Sequence, residues 1–113
     1  MGESVDELSR LLAQPSVAAQ NLGIEECAEL VAGALKARGF SVSIMPTGGS
    51  PVVFGERKGQ GDATLISYNH YDVQPAEPLE LWDSPPFEPT LRDGRLYARG
   101  VSDNKGNFTA RLH

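Results

Sequence analysis

The chain has 113 residues, of which 40% are apolar and 22% charged, with a net charge of −5. This length allows one domain at most, and the negative charge with scattered basic residues excludes a typical nucleic-acid binder. The sequence contains no secretory signal pattern and no run of about 18 apolar residues, which argues against a membrane span or a membrane partner. A single cysteine, Cys27, cannot form an internal disulfide and predicts a reducing, cytoplasmic location.

Two helices are predicted in the first forty residues. The first runs from Ser4 to Ala13, with Ser4 as the N-cap and Glu7 as the partner of a capping box. The second runs from about Gly23 to Arg38, and Gly39 stands where a glycine commonly ends a helix. Each helix carries one apolar face, so both are expected to pack against a core.

Strand-like segments follow, and together they predict an α/β fold with helices packed on a central mixed sheet. One segment is almost continuously apolar, which is typical of a strand buried on both faces. Two others flank an Asp-Gly pair and predict a hairpin. The predicted strands are Phe40 to Met45, Val52 to Glu56, the apolar Ala63 to Tyr68, Thr90 to Arg92 and Arg95 to Tyr97. A last helix begins near Phe108 and stops at His113, so residues 1–113 are expected to be the N-terminal portion of a larger catalytic domain.

A histidine and an aspartate stand two residues apart at the end of the apolar strand. Side chains alternate along a strand, so His70 and Asp72 should point the same way. A carboxylate can orient an imidazole whose other nitrogen binds a metal. From the spacing alone, a histidine that is simply hydrogen-bonded to its neighbour is an equally good interpretation.

A second candidate is the segment from Ala98 to Gly106, which holds Asp103 between two glycines just before a predicted helix. The glycines allow the backbone to bend tightly and to approach a ligand. By itself this pattern favours Asp103 as a turn or N-cap residue over a ligand. It does not fit the known phosphate-binding loops.

The two segments together resemble one family of zinc enzymes. SYNHYDVQP, WDSPPFEP and DGRLYARGVSDNKGN occur in that order and resemble blocks of the zinc metallopeptidases and deacylases. This family includes carnosine dipeptidase, aminoacylase, glutamate carboxypeptidase and succinyl-diaminopimelate desuccinylase. The resemblance runs from about Leu65 to the C-terminus and is greatest to the carnosine-dipeptidase-like branch.

The resemblance implies a role for each candidate residue. His70 would bind one zinc ion, Asp72 would orient that histidine and support catalysis, and Asp103 would bridge two zinc ions. It also implies a cis peptide bond after Asp103. In the family, the glutamate pair with the general base, the other metal ligands and the dimerisation domain would lie beyond His113.

The implied activity is cleavage of an amide bond by a water activated between two zinc ions, or other divalent ions such as Mn²⁺ or Co²⁺. The parent would be a homodimeric exopeptidase, dipeptidase or N-acyl amino acid amidohydrolase. The 113-residue chain alone is expected to be inactive, to hold metal weakly at best, and to self-associate. Two alternatives stay open: a non-catalytic relative that serves binding or scaffolding, and a different α/β hydrolase in which His70 is structural.

Overall fold

The computed structural model describes residues 2–113, which form three helices, two strand pairs and long connecting segments. Two short 3₁₀ turns, Ala18–Gln20 and Leu79–Leu81, interrupt the connections. The helices are α1 (Glu3–Ala13), α2 (Ile24–Lys36) and α3 (Lys105–Leu112), and the strands are β1 (Ser41–Met45), β2 (Val52–Glu56), β3 (Thr90–Arg92) and β4 (Arg95–Tyr97).

The core lies between the helices and the first strand pair. The helix α2 packs on β1 and β2, and α1 packs beside α3. Leu11, Cys27 and Val31 form the buried centre, so the apolar faces predicted for the first two helices do meet a core. The partly buried apolar side chains around that centre are Leu35, Val53, Tyr71 and Phe108.

The predicted capping box of the first helix is wrong. The helix begins at Glu3 with Gly2 as its N-cap, and no side chain caps it. Glu7 instead accepts two hydrogen bonds from Arg38, at 3.0 and 2.6 Å. A two-pronged, charge-assisted pair is stronger than a neutral bond back to a backbone N–H, which explains why Glu7 turns towards α2.

The hairpin predicted at Asp93-Gly94 is confirmed, and the first two predicted strands also pair with each other. The strands β1 and β2 pair antiparallel, with Ser41 opposite Glu56, and β3 pairs with β4 in the same sense. Between β3 and β4, Asp93 and Gly94 both have positive φ, 50° and 74°. Two positive φ values are what a tight two-residue hairpin turn requires.

The buried strand predicted for residues 63–68 is wrong. This segment forms no strand, and Leu65, Ile66 and Tyr68 are 95%, 85% and 80% exposed. A strand needs a hydrogen-bonding partner, and within residues 2–113 this segment joins neither of the two strand pairs. The mixed helix and strand composition of the predicted fold class is nevertheless present.

No helix among residues 2–113 combines the length and the apolar character that crossing a membrane would take.

Candidate metal centre

His70 and Asp72 point to the same side of the chain, as predicted. His70 Nδ1 lies 3.1 Å from Asp72 Oδ1 and 3.1 Å from the Asp72 backbone oxygen. The two residues lie in an irregular segment rather than in a paired strand. Their positions are therefore not fixed by the backbone hydrogen bonds of a β-sheet. A proton on Nδ1 can be shared between the two oxygens, which orients the ring and leaves Nε2 facing away from Asp72.

The other ring nitrogen of His70 faces Asp103. His70 Nε2 lies 2.9 Å from Asp103 Oδ1, across 33 residues of sequence. A nitrogen lone pair and a carboxylate oxygen at this distance repel each other unless a proton or a cation lies between them. The structure thus brings together all three residues that the sequence selected.

Asp103 is not the N-cap of the third helix, which was the alternative left open by the sequence. The helix begins at Lys105, with Asn104 at the cap position and no side-chain cap bond. The carboxylate of Asp103 points instead at His70 and is 79% exposed. The Asp103–Asn104 peptide bond is cis, in agreement with what the resemblance implies.

The environment of His70 favours a positive charge on or near its ring. Partial burial alone would lower the pKa of His70, but the hydrogen bond and charge of Asp72, with those of Asp103, outweigh that effect. The pKa of His70 is therefore raised above its ordinary value. A site that stabilises an imidazolium also attracts a metal cation that replaces the proton on Nε2.

An amide network that the sequence did not indicate joins the two candidate segments. Asn104 Nδ2 donates to Asn69 Oδ1 at 3.3 Å, and Asn107 Nδ2 donates to Asn104 Oδ1 at 2.7 Å. Arg111 donates from α3 to the Asn69 side chain and to the Tyr68 backbone oxygen. The residues next to His70 and next to Asp103 are thereby bonded to each other.

Lys105 is a second residue of the site region that sequence reasoning missed. It is 1% exposed, although it follows the exposed Asp103 by only two residues. Burial lowers the pKa of its ammonium, and the neighbouring Cys27 acts in the opposite direction. The signal in the sequence was the position of this lysine at the start of a helix, beside the predicted ligand loop. Because lysine is seldom fully buried, the sequence alone favours a solvent-exposed side chain at this position.

The donor set fits part of a metal site. Zinc holds ligand nitrogen and oxygen atoms at about 2.0–2.2 Å, which places two tetrahedral ligands roughly 3.3 Å apart. His70 Nε2 and Asp103 Oδ1 would separate only slightly from 2.9 Å to reach that spacing. Residues 2–113 contain no group of three or more histidine, cysteine or acidic side chains placed to hold a metal. Among the described residues, His70 and Asp103 are the two candidate ligands, and Asp72 is the candidate orienting carboxylate.

Comparisons with known proteins identify chains that are similar to this one. A family model described as peptidase family M20/M25/M40 matches residues 66–113. An M20 family metallo-carboxypeptidase from Sulfolobus solfataricus superposes with a TM-score of 0.96 at 41% identity, over 99% of this chain and 26% of that protein. Human carnosine dipeptidase 1 superposes with a TM-score of 0.90 at 29% identity, over 97% of this chain and 27% of that protein. The resemblance to the M20 peptidases is confirmed.

Curated relatives are also similar to this chain at the sequence level. The succinyl-diaminopimelate desuccinylase of Delftia acidovorans is 38% identical over 116 residues, which cover 97% of this chain and 29% of that protein. The desuccinylase of Paracidovorax citrulli is 39% identical over 109 residues, covering 89% and 27%. The chain spans less than a third of the length of these relatives. Its identity to the Sulfolobus carboxypeptidase exceeds its identity to the human dipeptidase.

Proposed function

We propose that this chain is the N-terminal part of the catalytic domain of a metal-dependent amide hydrolase with two zinc ions in its complete site. The observation that carries the proposal is the meeting of His70 and Asp103 at 2.9 Å, with Asp72 behind the imidazole. The similarity to M20 proteins named as a carboxypeptidase and desuccinylases supports the same class of reaction.

Each residue has a role set by its chemistry. His70 would hold one metal ion through Nε2, because Asp72 keeps the proton on Nδ1 and fixes the plane of the ring. Asp103 has two carboxylate oxygens and would therefore be able to hold both metal ions. The chemistry that zinc supplies when bound is polarisation of the amide carbonyl and a lowered pKa of water. The remaining ligands and the general base would come from later sequence.

The substrates we propose are dipeptides, C-terminal residues of short peptides, or N-acyl amino acids. Desuccinylase and carboxypeptidase are both names of amide hydrolases. The names of these relatives therefore support an amide as the bond that is cleaved, but they favour no particular substrate side chain. We further propose that the longer enzyme is a cytoplasmic homodimer, the location being supported by the single, buried and unpaired Cys27.

The test compares metal content and hydrolysis in the full-length protein. After chelation and zinc re-addition, mass spectrometry of bound metal should give two zinc ions per chain. His70→Ala should lose the occupancy of one ion, and Asp103→Ala should weaken both. Hydrolysis of a panel of dipeptides and N-acyl amino acids should fall about a thousandfold or more in each variant.

The matched controls are His113→Ala and Asp93→Asn. His113 is bonded to Glu7, and Asp93 occupies the exposed hairpin turn, so neither change should alter metal content. Metal binding without hydrolysis of any amide would favour the non-catalytic alternative. Hydrolysis that survives both His70→Ala and full chelation would instead support a different hydrolase in which His70 is structural.

A further inference from the structure

We infer that the end of α1 and the turn after it, residues 11–16, form a platform that sets the distance between His70 and Asp103. In this inference Lys105 and Ser16 are positioning residues, which touch neither metal nor substrate. The inference rests on the proposed function, since it assigns how the two proposed ligands are held. We call residues 11–16 the α1 corner.

Lys105 fixes the Asp103 loop to the α1 corner. Its Nζ donates to the backbone oxygens of Leu11 and Gln14, at 2.9 and 2.7 Å, across more than 90 residues of sequence. Leu11 lies in the last turn of α1 and Gln14 is its C-cap residue, at the end of the helix where carbonyl groups lack helical partners and the helix dipole is negative. A buried ammonium satisfies both oxygens at once and places the loop in one orientation.

Ser16 fixes the His70 segment to the same corner. Its side chain is fully buried, and its hydroxyl donates to the Tyr71 backbone oxygen at 2.6 Å. The Ser16 backbone oxygen accepts a bond from the Val73 amide at 2.8 Å. One residue therefore holds the chain on both sides of Asp72, which is the carboxylate that orients His70.

The two ligand segments also touch each other beside the corner. Gly100 has a φ of 89°, and a side chain there would come within 2.6 Å of Val73 Cγ1. The Lys105 amide donates to the Gly100 backbone oxygen at 3.1 Å. The loop that carries Asp103 thus starts against the segment that Ser16 holds and ends at the lysine that reaches the α1 corner.

A purely structural role does not require these groups. A long apolar side chain could fill the volume of Lys105, and burying an ammonium is costly without directed bonds. Directed bonds to fixed backbone oxygens instead set geometry, and metal sites depend on it because their ligands must converge within about 0.5 Å. Groups that orient metal ligands typically change metal affinity by about 10- to 100-fold when removed.

The test uses Ser16→Ala and Lys105→Met in the full-length protein. Each should lower zinc affinity, measured by competition with a chelating dye, by about 10-fold or more. With cobalt as the probe, the visible absorption bands should shift because the ligand geometry changes. In metal-free crystals of the variants, the distance from His70 Nε2 to Asp103 Oδ1 should exceed the wild-type value by about 0.5 Å or more.

The matched controls remove similar groups that make no such bond. Thr109→Val deletes a buried hydroxyl that has no partner, and Lys36→Met deletes an exposed helical ammonium. Both controls should keep wild-type zinc affinity and cobalt spectra. If Lys105→Met fails to fold, the milder Ser16→Ala decides the question alone.

The inference would be overturned if Ser16→Ala lowered the melting temperature but left three properties unchanged: the zinc affinity, the cobalt spectrum and the distance between the two ligands. A wild-type protein that binds no metal would overturn the proposed function instead. In that case the metal-free crystals still test whether the α1 corner sets the distance between His70 and Asp103.

Discussion

Each ring nitrogen of His70 faces a carboxylate, and the two carboxylates act differently on a metal. Asp72 lies on the Nδ1 side, where it makes the ring more basic and strengthens any bond formed by Nε2. Asp103 lies on the Nε2 side, where it would share a bound cation with the ring. A proton and a metal ion therefore compete for the same position between His70 and Asp103.

This competition predicts a pH dependence of metal binding. The pKa of His70 is raised above its ordinary value of 6.5, so protonation begins to displace metal at a higher pH than for a free histidine. We expect the zinc affinity of the full-length protein to fall by at least about tenfold per pH unit below that pKa. Isothermal titration calorimetry at several pH values measures this zinc affinity.

Asp72→Asn tests whether the charge of Asp72 contributes to the raised pKa of His70. Removing this negative charge lowers the pKa of His70, so the loss of zinc affinity should begin at a lower pH. The affinity at high pH should also decrease, because the neutral amide makes the ring less basic. His113→Ala should leave the profile unchanged, and a wild-type affinity that stays constant down to pH 5.5 would contradict the assignment of His70.

Gly106 and Gly33 give a second prediction, because both are helical glycines in different surroundings. A side chain at Gly106 would come within 2.0 Å of the Val101 backbone oxygen, whereas nothing lies within 4 Å of that position at Gly33. Gly106→Ala should lower the free energy of unfolding by about 2 kcal/mol or more. Gly33→Ala should raise it by about 0.5–1 kcal/mol, since alanine is the better helix former.

Urea denaturation of both variants measures these changes. A Gly106→Ala variant as stable as the wild type would mean that the loop between Gly100 and Lys105 can shift, which would weaken the account of how Asp103 is placed.

At the scale of elements, one ion pair ties the three helices together. Arg38 follows α2, forms its two-pronged pair with Glu7 of α1, and donates from Nε to the Leu112 backbone oxygen of α3 at 3.1 Å. His113 Nε2 reaches the same Glu7 carboxylate.

The pair predicts that stability falls in acid. The hydrogen bond from Arg38 lowers the pKa of Glu7 below 4.5, so the pair stabilises the fold above that pH and is lost as pH falls through the lowered value. Glu7→Gln should reduce the free energy of unfolding by about 1 kcal/mol at pH 7. At pH 3 the difference should be smaller than at pH 7, because Glu7 becomes protonated as pH falls through its lowered pKa.

The control is Glu29→Gln, which changes an exposed glutamate of α2 and should leave stability within about 0.5 kcal/mol. Denaturant titrations at both pH values measure the effect. Equal losses for Glu7→Gln at pH 7 and pH 3 would show that packing, rather than charge, explains the contribution of Glu7.

Features encoded by neighbouring residues could be predicted from the sequence. The period of the apolar residues predicts both N-terminal helices. Asp93-Gly94 predicts a hairpin, because a tight two-residue turn requires positive φ values and Asp-Gly tolerates them. His70 and Asp72 were placed together by a spacing of two. The meeting of His70 with Asp103 came from resemblance, since no local rule joins residues 33 positions apart.

Features that depend on distant partners could not be predicted. The apolar residues 63–68 indicate a preference for burial, but they do not supply the strand that would pair with them. Ser16 and Lys105 reach their partners across 55 and more than 90 residues. The position of Lys105 beside the predicted ligand loop was a signal of a role, but it did not indicate burial. Glu7 satisfied a capping pattern but found a stronger partner in Arg38.

At the scale of the whole molecule, the chain is more open than a compact domain of this length. Its radius of gyration is 15.0 Å and its extents are 50 × 36 × 19 Å, against about 13 Å expected for a compact domain of 113 residues. The candidate metal centre is open as well, with the side chains of His70 and Asp72 38% and 49% exposed. This shape supports the proposal that later sequence completes both the core and the ligand set.

The exposed apolar segment gives the last prediction, because its behaviour should differ between the isolated chain and the longer protein. Leu65 and Ile66 are almost fully exposed in residues 2–113. An exposed apolar segment whose backbone N–H and C=O groups are unpaired tends to associate with further strands. In the isolated chain, Leu65→Lys should reduce self-association in analytical ultracentrifugation. In the full-length protein, the same change should cost about 1.5–3 kcal/mol of stability, because there the side chain would be covered. Leu81→Lys, at another exposed leucine, should do neither, and an isolated wild-type chain that stays monomeric at high concentration would contradict the prediction.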